Sequence, residues 1–428
     1  MPWRKRWEIT FDWIVRRRRE LFISLLLFKG ALALLRLAVF FRFQTTQWYN
    51  FVSYWDFASA ARYGQWPYVH YWVEYPPVFP WFAAGLYALS SLGSSAAQGI
   101  FYALNALFLV AADGAILYLV FRLGQRLYGT RWGTLAALMQ TVLFVPIYIY
   151  TGWFDTWPTA LVLLSVLLVV EQRPRPAGIV VAVGALTKIF PLLVAPVAWL
   201  YFRSAQRKTF ALWTTVTACA IALPLLMSGS TMTLASARGF LQRLSWETIW
   251  AVLEGYTSSG GVPAPAQRFD PQQLSWIEHA TFIPGWLLIA ALVVAITIVL
   301  LRAPRPVTAR TVVILTGLLI NLMLIFSKGY SPQYLTWVTP WLALLGIEYR
   351  RFWFLAAGLA AANLLEYPVH FHFFAAEQWT LISAVSARTV LLVITVLCQW
   401  RALSRPRCEA PPADFRQYLA RPSASEIH

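Results

Sequence analysis

Acidic residues are scarce in this chain. Its 428 residues include 18 Asp and Glu against 35 Lys and Arg, a formal charge of +17. Charged residues of both signs make up only 12%, about half the share of an ordinary soluble domain. That shortage excludes a soluble globular enzyme and a disordered chain. Three cysteines exclude a disulfide scaffold: Cys219 and Cys398 lie in apolar runs and Cys408 lies in a polar tail. No hydrophilic run is long enough for a separate soluble domain. No internal repeat is visible either, which weakens a transporter built from repeated halves. What is abundant is apolar: 59% of residues are hydrophobic and 16% aromatic, with a mean hydropathy of +0.57. A nucleic-acid binder can be this basic but not this apolar, so no nucleic-acid partner is expected. The chain reads as an all-α polytopic membrane protein.

A spanning helix needs about 20 mostly apolar residues, because each residue rises about 1.5 Å across about 30 Å of hydrocarbon. Apolar runs of suitable length cover 20–41, 98–121, 131–150, 154–171, 209–227, 282–301, 310–326, 333–347, 352–369 and 380–400. The stretch 177–202 is apolar but broken by Lys188 and Pro191, and 78–92 is short and follows Pro76 and Pro77. The first run is too long, and too interrupted by Lys29 and Arg36, for a cleaved signal peptide. Lys and Arg collect in short cytoplasmic connectors. All the basic connectors fall on one side if 78–92 lies along the outer interface and 177–202 is two short helices turning near Lys188. Of the 35 basic residues, 25 are then cytoplasmic, seven are outside or at the Lys188 turn, and three are within spans. The expectation is about twelve spans with both ends in the cytoplasm: a basic N-terminus at 1–19, one membrane domain at 20–400 and a cytoplasmic tail at 401–428. Two long outer loops follow, 42–97 and 228–281, and the second is expected to carry an interfacial helix near 235–254.

The outer side holds half of the 18 acids, four of the five histidines and the isolated turn lysines. Asp56, His70 and Glu74 lie in the first outer loop, among dense Trp and Tyr. Asp155 lies in a turn, Lys188 at the helix break, and Lys328, Ser331, Gln333 and Tyr334 in another turn. Glu366, His370 and His372 end a span, and Arg36 and Arg388 sit in outer halves of spans. This asymmetry predicts one outward-facing polar site.

Four short patterns occur in order on that side. They are Asp56…Tyr63-Gly64…Pro67-Tyr68…Glu74-Tyr75-Pro76-Pro77, then Phe154-Asp155, then Lys188-x-Phe190-Pro191, then Ser331 to Tyr334. Together they resemble the GT-C fold glycosyltransferases, most closely the polyprenyl-phosphate-mannose-dependent mannosyltransferases of glycosyltransferase family 87, from about residue 20 to 400. The resemblance implies a multi-spanning helical bundle with juxtamembrane helices in the first outer loop. It also implies a lipid-phosphate sugar donor and inversion at the anomeric carbon. The family's catalytic base is an Asp shortly after the first span, which here is Asp56. Many relatives carry an Asp-x-Asp or Glu-x-Asp pair in this loop; this chain has none, so neither a metal nor another cofactor is expected.

Such a reaction needs a carboxylate to take the acceptor's proton and cations to stabilise the departing phosphate. Inversion needs one base opposite the leaving group. Asp56 fits the base, although by its residues alone it is as readily a helix cap. For Glu74, a turn-orienting role and a sugar contact stand level. N-capping of the following span explains Asp155. Lys188 and Lys328 suit phosphate, since an unpaired ammonium near the membrane is costly, with snorkelling to the interface as the alternative. Arg388, about 12 Å into the last span at about 1.5 Å per residue, needs a partner, either Glu366 or a lipid phosphate. Lys29 and Asp113 read as an interhelical ion pair. His70 and His370 suit phosphate or a sugar hydroxyl. Arg238, Arg243 and Glu247 read chiefly as a solvated interfacial face, with contact to a lipid headgroup or acceptor as the alternative. The expected activity is an inverting hexosyltransferase of the cytoplasmic membrane. It would act on a lipid-linked or glycan acceptor of the cell envelope with a polyprenyl-phosphate sugar, mannose by the resemblance, as donor. The alternative is a transporter or flippase of a charged lipid or solute, motivated by the charges inside the spans.

Overall fold

The computed structural model describes residues 10–43, 49–93, 96–143, 152–261, 263–274 and 279–404. Among them the protein is helical, and the only β pairing is two isolated bridges. The expected spans all carry helices: α1 (Arg18–Phe43), α4 (Ala97–Tyr128), α5 (Thr130–Leu143), α6 (Thr156–Val170), α7 (Pro174–Ala185), α8 (Val194–Tyr201), α9 (Ser204–Ser228), α12 (Gly285–Leu301), α13 (Ala309–Phe326), α14 (Leu335–Leu345), α15 (Arg351–Leu364) and α16 (Gln378–Ser404). The outer loops add α2 (Tyr49–Ser59) and α3 (Val78–Ser91), then α10 (Ser230–Gln242) and α11 (Ile249–Leu253). The end of the third expected span, 144–150, lies outside the described residues. Six helices are long and apolar enough to cross a membrane by themselves, and α3, α6, α12 and the Phe190–Tyr201 segment are shorter apolar ones.

Burial separates two kinds of helix. All eleven residues of α14 are buried, and thirteen of the eighteen in α13. A helix apolar on every face belongs at the centre of a bundle. By contrast α1, α9 and α12 present Leu27, Phe28, Leu34, Leu212, Leu223, Trp286, Val293 and Val294 to the outside. Contiguous exposed apolar faces of this size fit lipid, not water. In lipid the helices are held by close packing and polar contacts more than by exclusion of water. At the α4–α5 crossing, a Cβ on Gly133 would stand 2.6 Å from Phe121 O, so glycine lets the two backbones touch. Between α1 and α4 the expected pair forms: Lys29 donates to Asp113, both buried.

The basic connectors gather at one end of the bundle. There Glu348 accepts from Arg310 Nε at 2.8 Å and from Tyr128 Oη at 2.9 Å, while Arg310 also reaches Ala402 O. Arg122 pairs with Glu171 and Arg131 with Asp12, each at 3.6 Å. The two long loops meet at the other end. The first runs through a 3₁₀ turn (Ala60–Tyr63) closed by Gly64, at φ +71°, then through an irregular stretch to Pro76 and Pro77. The second stitches that stretch down: Trp72 N donates to Arg268 O at 2.9 Å and Val73 N to Ser236 Oγ at 3.0 Å. Val78 N donates to Leu186 O at 2.9 Å, fixing the start of α3 on the end of α7.

Candidate active site

A cavity of about 890 Å³ opens at the end where the two loops meet. One flank is aliphatic, made by Ile189, Leu192 and Pro196 before and in α8 and by Ile289, Leu292 and Val293 of α12. Ile189, Leu192, Ile289 and Val293 are themselves exposed, so among the described residues no second protein layer closes that side. The rest of the lining is polar and includes Glu74, Lys188, Arg243, Glu247, Lys328, Ser331, Gln333, Tyr334 and His372.

Lys188 leaves the helix break between α7 and α8 and puts Nζ 2.6 Å from Asp155 Oδ1. Its ammonium lies 4.5 Å from the Tyr334 ring centroid and 5.0 Å from that of Trp337. Asp155 is wholly buried and also accepts from Trp337 Nε1 at 2.8 Å. It does occupy the N-cap position of α6, but its side chain caps nothing. Capping therefore does not account for Asp155: its Oδ1 accepts from both Lys188 and Trp337. Lys328 donates to Leu241 O at 3.0 Å and Arg243 O at 3.1 Å. Burial pushes its proton affinity down, with Glu254 opposing.

Arg243 and Glu247 were not expected in a wall. The interfacial helix expected over 235–254 breaks at 243–248, because this segment pairs with the turn before Ser331. Trp246 N donates to Lys328 O at 2.9 Å and Tyr330 N to Trp246 O at 3.2 Å. The Trp246 indole wedges between Gly260 and Gly329, where an added Cβ would come within 2.5 and 1.8 Å of it. Thr248 then caps α11 by accepting from Ala251 N at 3.2 Å. The break turns Arg243 and Glu247 inward. Arg243 stacks on Trp246 at 3.6 Å and donates to Gly260 O at 2.8 Å. Arg238 stays exposed, as the interfacial reading expects.

Other expected residues fall elsewhere. Glu74 lines the cavity, but orients no turn: Arg268 grips it through both Nη atoms, the second at 3.1 Å, and both residues are buried. His70 is exposed outside the cavity, accepting from Trp66 N at 2.9 Å. His370 is buried against Thr380 at 2.6 Å, and the cavity takes His372 instead. Arg388 pairs with Glu366 and donates to Glu247 O, beneath the cavity wall rather than in it. The choice between Glu366 and a lipid phosphate thus falls to Glu366.

Asp56 is exposed on α2, outside the cavity wall. Partial burial raises its proton affinity and the Arg268 charge opposes this. Its neighbour Trp55 lines a second hollow of about 560 Å³, with Arg62, Trp66, Tyr87 and Gln98. Arg268 thus links Asp56 electrostatically to Glu74, on the rim of the larger cavity.

A many-helix bundle with a charged pocket under loop-borne helices at one end, and an aliphatic flank beside it, defines a GT-C type membrane glycosyltransferase. The chain belongs to glycosyltransferase family 87, whose sequence profile matches residues 72–327. That span holds the Glu74, Lys188, Arg243 and Glu247 walls of the cavity; Asp56 precedes it. No curated protein matches the chain.

Proposed function

We propose that this glycosyltransferase inverts configuration as it moves a hexose, mannose by the resemblance, from a polyprenyl-phosphate donor to a lipid-linked or glycan acceptor. The site would face the outside of the cytoplasmic membrane. The observation that carries the reading is the cavity's polarity: Lys188, Arg243 and Lys328 in its polar lining, bare aliphatic side chains along one flank. A lipid phosphate has that same division. In this reading the prenyl chain lies against α8 and α12, and the cations hold the phosphate as the C1–O bond breaks. The hexose reaches past Glu74 toward α2. An acceptor hydroxyl arriving from the Trp55 hollow attacks C1 and gives its proton to Asp56, whose exposure and raised proton affinity suit a base. The new O–C1 bond forms opposite the phosphate, so the anomeric centre inverts. Aromatic faces at Trp55, Trp66 and Tyr87 suit stacking on an acceptor sugar.

The transporter reading rests on Lys29, Arg36, Asp113 and Arg388, and its motive weakens because Lys29 pairs with Asp113 and Arg388 with Glu366 within the bundle. The test is incubation of the purified chain with radiolabelled polyprenyl-phosphate mannose and total membrane lipid. Labelled product is expected from the wild type. Asp56→Asn is expected to bind donor and transfer nothing; near-normal turnover by that variant overturns Asp56 as base.

A further inference from the structure

Glu247 has one carboxylate oxygen unaccounted for. The residue is 4% exposed; Oε1 accepts from Gly260 N at 3.3 Å, and Oε2 is buried with no hydrogen-bond partner. Its backbone sits at φ +50°, a left-handed conformation that an ordinary residue adopts only when its surroundings impose it. Here they do: Arg388 donates to its carbonyl, and Trp246 beside it is pinned to Lys328 and Tyr330. The carboxyl group is therefore held in the cavity wall by design of the loop, not by chance of a surface rotamer.

A buried carboxylate oxygen without a donor is expensive unless it carries a proton or meets a ligand. Burial pushes the Glu247 carboxyl up to about 7, against the opposing pull of Arg388, the Gly260 amide and Arg243. The groups facing it are Arg243 at the end of α10, Arg388 from α16, Tyr256 after α11, and Tyr330 and Tyr334 from the turn before α14. Lys188, Lys328 and His372 share the same cavity. Arg243 and Glu247 also hold the same residue, one on Gly260 O and the other on Gly260 N. An anion bound by Arg243 thus comes to rest beside the Glu247 carboxyl. Two negative charges that close in a buried site disfavour each other, so a bound phosphate favours the protonated acid.

Resting on the donor reading above, we propose that Glu247 binds the lipid phosphate as a neutral acid: donor binding draws one proton from solvent onto Oε2, which then donates a hydrogen bond to a phosphate oxygen. No covalent bond is made or broken in this step. The proton affinity of Glu247 is higher in the bound state than in the free state. Donor affinity is then level below the free-state value, near pH 7, and falls by up to ~10-fold per pH unit above it until the bound-state value is reached.

The test uses the full chain in lipid nanodiscs and a short-chain polyprenyl phosphoryl-hexose, a phosphodiester that does not itself titrate in this range. Its Kd is measured from pH 6 to 9, and proton uptake by calorimetry in two buffers of different ionisation enthalpy. Expected are a Kd that rises ~10- to 100-fold between pH 7 and 9, uptake of about one proton at pH 8, and a flat profile in Glu247→Gln at near the wild-type low-pH affinity. A flat wild-type profile without proton uptake overturns the inference and leaves the donor reading standing. A slope that persists in Glu247→Gln assigns the proton to another group, such as His372, and overturns it too. Loss of affinity in Glu247→Gln for the hexosyl diester but not for a dialkyl phosphate makes Glu247 a sugar contact, which also overturns it. If the diester fails to bind wild type at any pH, the donor reading falls and the inference with it. Should Glu247→Gln not fold, His372→Gln takes its place: a slope and proton uptake kept in that variant support Glu247, and their loss overturns the inference.

Discussion

Lys188 shows how one residue serves both fold and site. An apolar run broken by a lysine asks for a partner near the membrane, and the partner is Asp155, 33 positions earlier and wholly buried. Breaking a buried ion pair by removing one partner costs about 3–5 kcal/mol, because the other charge is left without compensation. Lys188→Met and Asp155→Asn are each expected to lower the thermal midpoint in detergent. The double variant is expected to lose less than the two single losses together, which a double-mutant cycle reads directly. Additive losses would mean the pair is not coupled. Lys188 was legible in the sequence as a candidate because a charge in an apolar run is conspicuous. Glu247 and Arg243 were not: in a polar, aromatic-rich loop, their spacing fits a solvated helix face as well as a wall. The signal that existed was the helix-breaking company they keep, Ser245, Trp246 and Thr248, followed by a Gly/Ser-rich stretch.

Helices were the most readable part of the chain. Long apolar runs flanked by Arg and Lys fix α1, α4, α9, α13 and α16, since any spanning segment must satisfy its own backbone. The α4–α5 hairpin depends on a feature invisible to hydropathy, the contact of Gly124 with Gly133. Gly133→Val puts a branched side chain into the backbone of α4, an overpacking expected to cost about 1–3 kcal/mol. The measurement is thermal unfolding in detergent, with Gly30→Val in α1 as control, since nothing stands within 4 Å of that site. Equal losses at the two positions would refute the close crossing. The second loop went the other way. An amphipathic stretch over 235–254 is helical by pattern, yet tertiary pairing of Trp246 with Gly329 overrides local preference and splits it.

At the scale of the whole molecule, the basic connectors and the candidate site lie at opposite ends. We propose that the positive charge that dominates the composition serves orientation: Lys and Arg collect in short cytoplasmic connectors, so the basic end would face the cytoplasm. On a cysteine-free background, a cysteine at Arg62, exposed at the cavity end, is expected to react with an impermeant maleimide in intact cells. One at Arg203, exposed at the basic end, is expected to react only after permeabilisation. The reverse pattern would turn the bundle over and place the cavity in the cytoplasm.

The sequence by itself determined the class of solvent, the order of the apolar helices, and which end carries the basic connectors. These follow from hydropathy and charge, which act through each segment separately. Four sparse motifs also carried the family. Only the tertiary structure decided which polar groups converge: Glu74 with Arg268 across 194 positions, Arg388 with Glu366 rather than a ligand, and Arg243 with Glu247 on one glycine. The physical reason is that a buried charge must be matched in space, and spatial matches between distant segments leave no periodic trace along the chain.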